Sequence, residues 1–202
     1  GPAIVVDSSG ALHLFFTGHN NDYIWEASYN FTDALWTSRG RILNSQGQAA
    51  RTTERPAPLS VNRMFFHGNI SNNYIWHVYR ASSSAEWKKP EYLKYKAPGA
   101  AAAREPFLIK SSPAVYTFSW LGYPLSAHNI FYTDLLTGRL AFAVKLESVW
   151  TGPLLLPAEC VSNYGPAVAA KSGRPLVFYT KKATGEIFVA VKASSAPLLE
   201  DW

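Results

Sequence analysis

The chain has 202 residues, 48% hydrophobic, 14% aromatic and only 16% charged, with a net charge of +5. Aromatic density of this order excludes a disordered chain, and the scarcity of charge excludes a coiled coil. A single cysteine, Cys160, excludes an intrachain disulfide and any paired-cysteine metal or redox site, and no cofactor is expected.

Taken in chain order, the sequence repeats itself four times. The first unit opens at Pro2-Ala3 and continues through Phe15-Phe16-Thr17-Gly18, the turn residues Asn20-Asn21-Asp22, the strand Tyr23-Ile24-Trp25 and a closing Trp36. The second opens at Pro56-Ala57 and carries Phe65-Phe66-His67-Gly68, an Asn-rich turn from 69 to 73, Tyr74-Ile75-Trp76 and Trp87. The third opens at Pro106 or at Pro113-Ala114 and carries Phe131-Tyr132-Thr133-Asp134, Arg139-Leu140-Ala141 and Trp150. The fourth opens at Pro166-Ala167 and carries Phe178-Tyr179-Thr180-Lys181, Glu186-Ile187-Phe188 and Trp202. From first aromatic to central aliphatic the step runs 15 to 24, 65 to 75, 131 to 140 and 178 to 187.

Each unit reads as β-strands, being short, aromatic-rich and bounded by Gly and Asn. The segments predict one all-β domain over 1–202, with repeats near 1–54, 55–104, 105–164 and 165–202. The fold expected is a β-propeller of about four blades, each a four-stranded antiparallel sheet of about 50 residues. Both faces of the third strand are apolar, with Ile24, Ile75, Leu140 and Ile187 on one and Trp25, Trp76, Ala141 and Phe188 on the other. Sheets stacked radially bury both faces, so the four closing tryptophans and the aromatic pairs are expected in blade packing. The third unit departs from the pattern: 97–103 reads as a linker, and 112–126, with Tyr116, Phe118, Trp120 and Tyr123, is an added hairpin or a first strand with a long loop.

These openings, aromatic pairs, Tyr-Ile-Trp strands and closing tryptophans resemble β-propeller lectins of fungal fruiting bodies and some bacteria. The resemblance implies carbohydrate binding without catalysis. Independently, a pyranose ring asks for an aromatic side chain under its C–H face and Asn, Asp, His, Glu or Arg around its hydroxyls. The candidates are Asn20, Asn21, Asp22, Tyr23, Trp25 and Glu26 in the first unit, and His67, Asn69, Asn73, Tyr74, Trp76 and His77 in the second. No metal site is expected. The partner expected is a glycan or glycoconjugate, with a homo-oligomer admitted and nucleic acid disfavoured by the scattered basic residues.

Three other functions share this patterning. A glycoside hydrolase needs paired carboxylates, which are scarce here, with Asp7, Asp134 and Glu186 among the few. A small-molecule cyclase or isomerase and a protein-interaction propeller are the others. No apolar run is long enough for a membrane-spanning helix, so no membrane insertion is expected. No signal peptide is visible, which points to a cytoplasmic protein or one released without such a signal. Asn30-Phe31-Thr32 and Asn69-Ile70-Ser71 fit the glycosylation pattern. Cys160 reads as a buried, inert thiol.

Overall fold

The computed structural model describes residues 1–68, 72–96, 105–119, 126–146, 149–171 and 174–192. Among these the regular structure is β-strand throughout, in four sheets. The chain divides into two compact units, Gly1–Leu93 and Lys94–Trp202, each with two of the sheets.

In the first unit, β1 (Ala3–Val6), β2 (Leu12–Thr17), β3 (Ile24–Asn30) and β4 (Leu35–Arg41) form one sheet in chain order. β5 (Ala57–Ser60), β6 (Arg63–His67), β7 (Ile75–Tyr79) and β8 (Glu91–Tyr92) form the other, also in chain order. In the second unit a seven-stranded sheet combines β9 (Lys94–Tyr95), β10 (Glu105–Pro106), β11 (Ala114–Ser119), β12 (Ser126–Thr133), β13 (Leu140–Leu146), β14 (Val149–Trp150) and β15 (Leu154–Leu155). The last sheet is β16 (Ala167–Lys171), β17 (Arg174–Thr180) and β18 (Ile187–Val191). Four-strandedness therefore holds for the first two sheets. The third is enlarged because β13 pairs β14 at one end and β15 at the other, and β14 runs parallel to β9. The fourth has three strands among the described residues.

The repeat is a repeat of register. The alanine of each Pro-Ala opening pairs with the first aromatic of the pair: Ala3 with Phe15, Ala57 with Phe65, Ala114 with Phe131 and Ala167 with Phe178. The second aromatic faces the variable third-strand position, so Phe16 pairs Trp25, Phe66 pairs Trp76, Tyr132 pairs Ala141 and Tyr179 pairs Phe188. The third unit thus opens at Pro113-Ala114, and β11 is its true first strand rather than an added hairpin.

In the first unit the core lies between its sheets, where Phe15, Ile24, Ile42 and Ala50 meet Met64, Phe66, Val78 and Trp87. In the second, Ala114, Phe131, Leu140, Phe142 and Leu156 meet Val177 and Tyr179, with Cys160 buried among them. Burial at this scale is the main drive to fold. A threonine at the end of the second strand secures the chain leading into the following sheet in both units. Thr17 Oγ1 donates to the Glu54 carbonyl at 2.7 Å, two residues before Pro56, and Thr133 Oγ1 donates to the Tyr164 carbonyl at 2.7 Å, two residues before Pro166.

The packing of the tryptophans and aromatic pairs differs from expectation in two places. Trp87 and Trp150 are buried, but Trp36 is 45% exposed, because β4 lies at the edge of its sheet, where the indole packs on Tyr29, 5.3 Å between centroids. Trp202 lies outside the described residues, as do Trp120, Tyr123 and the 97–103 segment. The fourth aromatic pair is split: Tyr179 is buried and Phe178 is exposed. Phe178 shares one open face with Ile187, Val189 and Val191, which alternate with the covered positions Val177 and Tyr179.

Candidate functional site

Strand direction decides which loops come together. Because the start of β1 pairs with the end of β2, the turn 18–23 lies at the end of the sheet where the chain opens. The segment 51–55, leading into the second sheet, comes to the same end. Tyr23 bridges Arg51, the Thr52 amide donates to the Asp22 carbonyl at 2.8 Å, and Thr17 holds Glu54. His67, at the end of β6, adjoins Asn73 and feels the charge of Glu54. One loop end of the first unit therefore gathers Asp22, Tyr23, Arg51, Glu54, His67 and Asn73.

His67 is buried, with Nε2 3.3 Å from Asn73 Oδ1, and its Nδ1 has no hydrogen-bond partner among the described residues. Burial holds its pKa below the ordinary histidine value, although the Asn73 contact and Glu54 act the other way. The ring is therefore neutral at neutral pH and can accept or donate a proton at this edge.

The aromatic candidates are held by glycine. A Cβ on Gly18 would sit 2.7 Å from Trp25 Nε1, and one on Gly68 would sit 2.5 Å from Trp76 Nε1. Each indole thus lies directly on the glycine of its own β2–β3 or β6–β7 turn. Trp76 also donates its indole N–H to Asn72 Oδ1 at 2.8 Å. Tyr23, just before β3, and Trp25 lie two residues apart on one face, flanked by Arg41 and Arg51. Tyr74 and Trp76 share a face of the second sheet with Tyr92, 5.4 and 5.7 Å from its ring.

Not every candidate joins these groups. Asn20 is an exposed turn residue, and Asn21 Oδ1 accepts the Tyr23 amide in the same turn. Asn69 lies outside the described residues. His77 points to the face opposite Trp76, stacked between Phe65 and Tyr79 at 6.2 and 6.0 Å. Glu26 is 2% exposed and lies in the core, so it is closed to a ligand. Arg80 donates to both its oxygens at 2.8 and 2.9 Å, and His13 Nδ1 lies 3.0 Å from Oε1. His13 Nε2 is in turn 3.4 Å from Asp7 Oδ2, and the Arg80 guanidinium stacks 4.3 Å over Trp87. Glu26 lies two residues from the core residue Ile24 on β3 and so shares its face, which is the signal in the sequence that it faces inward.

Sequence reasoning passed over Arg41, Arg51 and Glu54. They sit on the edge strand or in the connecting loop, and only tertiary pairing brings the arginines to Tyr23 and Glu54 to Thr17. Among the described residues there is no group of three or more His, Cys, Asp or Glu able to hold a metal ion. No helix there is long and apolar enough to cross a membrane.

No protein-family model matches the sequence, and no curated protein matches it. Solved structures do match. A protein of unknown function from Dyadobacter fermentans superposes with a TM-score of 0.61 at 12% identity, over 96% of this chain and 65% of its own. An α-L-arabinofuranosidase from Clostridium thermocellum gives 0.57 at 13% identity, over 95% and 68%. An α-L-arabinofuranosidase from Fusarium graminearum, solved with an iminosugar inhibitor, gives 0.55 at 12% identity, over 94% and 60%. The chain thus spans about two thirds of the length of these proteins. At such identities the likeness is one of fold: four successive antiparallel-rich sheets of the β-propeller class, the architecture on which the two arabinofuranosidases are built.

Proposed function

We propose that the chain is a carbohydrate-active propeller protein that takes a glycan at the loop end of its first unit. Tyr23 and Trp25 lie under a sugar ring, and Asp22, Arg51, Glu54, His67 and Asn73 surround its hydroxyls. The observation that supports this most is the pairing of Tyr23 with Arg51 at the loop end to which Glu54 and His67 also belong, from three separate stretches of chain. Aromatic faces beside mixed polar groups are what a sugar ring requires.

Cleavage of a glycosidic bond is favoured over binding alone. Solved structures of this fold carry the names of glycoside-cleaving enzymes. The loop end also holds two carboxylates, Asp22 and Glu54, the residue type that serves as acid and as nucleophile or base in that reaction. In this reading one carboxyl protonates the departing oxygen, and the other attacks the sugar carbon or activates water.

The test pairs a glycan array with hydrolysis of aryl α-L-arabinofuranosides and aryl xylosides. Release of the aryl alcohol by the native chain, with turnover lost in Asp22→Asn and Glu54→Gln while array binding persists, supports cleavage. Array binding with no turnover of any substrate leaves a lectin. Absence of both overturns the glycan reading.

A further inference from the structure

We propose that the Tyr23–Trp25 face selects a carboxylate-bearing sugar, with Arg41 and Arg51 as the groups that recognise the acid. This rests on the glycan reading above and names its substrate class. The guanidinium carbons of Arg51 and Arg41 lie 4.3 and 4.9 Å from the centroid of the Tyr23 ring, and Arg41 lies 5.9 Å from that of Trp25. Both arginines are exposed. Among the described residues neither side chain forms an ion pair, and the one side-chain hydrogen bond that either makes is from Arg51 to the Tyr23 hydroxyl.

Arg80 shows the contrast within the same unit. It is buried, with hydrogen bonds to both oxygens of Glu26 and to the Val61 carbonyl. Arg41 and Arg51 instead bring two positive charges to one ring with most of their N–H groups unspent. Two positive charges beside one ring make its surroundings favourable to an anion. Stacking on an aromatic face fixes the guanidinium plane and leaves its N–H edge outward, the geometry that matches the two oxygens of a carboxylate. Trp25, seated on Gly18, offers the adjoining apolar surface for the sugar ring.

The second sheet serves as an internal comparison. Trp25 pairs with Arg41, whereas the corresponding partner of Trp76 is Tyr92. The same aromatic platform is thus bordered by cations in one sheet and by an uncharged ring in the other. The acid preference belongs to the first sheet.

The experiment is titration calorimetry with glucuronate-, galacturonate- and sialate-terminated oligosaccharides, their carboxyl methyl esters and neutral counterparts. The ester keeps shape and removes charge. The native chain should bind at least one acid about 10-fold or more tightly over its ester, and that preference should shrink in about 0.5 M salt. Arg41→Gln/Arg51→Gln should bring acid and ester to within about 2-fold, with an unchanged thermal midpoint because both side chains are exposed. Equal affinity of acid and ester in the native chain overturns the acid assignment and leaves the glycan reading standing. Displacement of the acids by equimolar inorganic sulfate also overturns it, since the site would then be a general anion site. Absence of binding by every glycan, neutral ones included, overturns both.

Discussion

Gly18 and Trp25 determine one another. The indole nitrogen occupies the space that a Cβ at position 18 would need, and Gly68 stands in the same relation to Trp76. Where the glycine is replaced, the indole is absent: Asp134 accompanies Ala141, and Lys181 accompanies Phe188, its Nζ 4.7 Å from the ring centroid. The two tryptophans therefore recur in two units as part of a turn-and-strand packing device, and this device is what leaves Tyr23 and Trp25 in a fixed pose.

A double-mutant cycle tests that coupling. Gly68→Ala should cost about 1–3 kcal/mol in the native background, where the new methyl meets a packed indole. In a Trp76→Ala background the added cost should fall, because the indole contact is gone and Asn72 Oδ1, 2.6 Å from the new Cβ and released from its indole partner, can turn away. Urea unfolding of the four proteins measures both. Additive costs would mean that the glycine serves the backbone alone.

The buried triad gives a second prediction. Glu26→Ala strands the Arg80 guanidinium in the core and should cost about 3–5 kcal/mol. Glu26→Leu combined with Arg80→Met removes both charges and replaces them with apolar volume, so it should recover much of that loss. Denaturant midpoints decide between this and a simple sum of two single losses.

The aromatic pairs test burial directly. Phe65 is 1% exposed, and its loss to Ala should cost about 3–5 kcal/mol. Phe178 occupies the equivalent register position but is 37% exposed, so Phe178→Ala should cost under about 1 kcal/mol. Equal losses would mean that the open face of the last sheet is covered in solution.

The contrast between those two positions also shows what the sequence could and could not reveal. Hairpin register is local: Ala3 and Phe15, or Ala167 and Phe178, are joined by one turn, so the repeat and the strand order are legible in the pattern. Which faces become covered is decided by neighbouring sheets, and identical patterning yields a buried Ile75 and a 78% exposed Ile187. The site divides the same way. Tyr23 and Trp25 were visible from their place beside an Asn-rich turn. Arg51 reaches Tyr23 and Glu54 is tied to Thr17 through tertiary pairing of the loop, and Arg80 meets Glu26 across 54 residues. No short-range signal encodes such contacts.

His67 should make stability depend on pH in a defined window. Its folded pKa is lowered by burial below the unfolded value of 6.5, so protons bind the unfolded chain more tightly. The contribution is fully present above that value and is lost as pH falls from it through the folded pKa. Thermal midpoints measured between about pH 7.5 and about pH 5 should fall less in His67→Gln than in the native chain. Asp7, lowered to about 2 chiefly by the Ser9 hydroxyl, acts in a separate and more acidic range. An identical pH slope in the variant would mean that His67 is not the group that titrates.

Trp25 and Trp76 are expected to answer differently to truncation, although they share register and a glycine seat. Trp76 packs against the inter-sheet core and donates to Asn72, so Trp76→Ala should lower stability by about 2–4 kcal/mol. Trp25 lies on the other face of its sheet: it pairs with Phe16, which alternates with the core residue Phe15. There it carries Arg41 and stands beside Tyr23. Trp25→Ala should therefore cost about 1–2 kcal/mol and remove most glycan affinity, because a sugar loses both its stacking surface and a properly held arginine. Calorimetric binding and urea midpoints on the two variants separate the roles. A Trp25→Ala protein that unfolds as readily as Trp76→Ala would make Trp25 a packing residue and move the sugar platform to Tyr23. If instead it keeps its midpoint and still binds every glycan that the native chain binds, the ligand does not rest on this face.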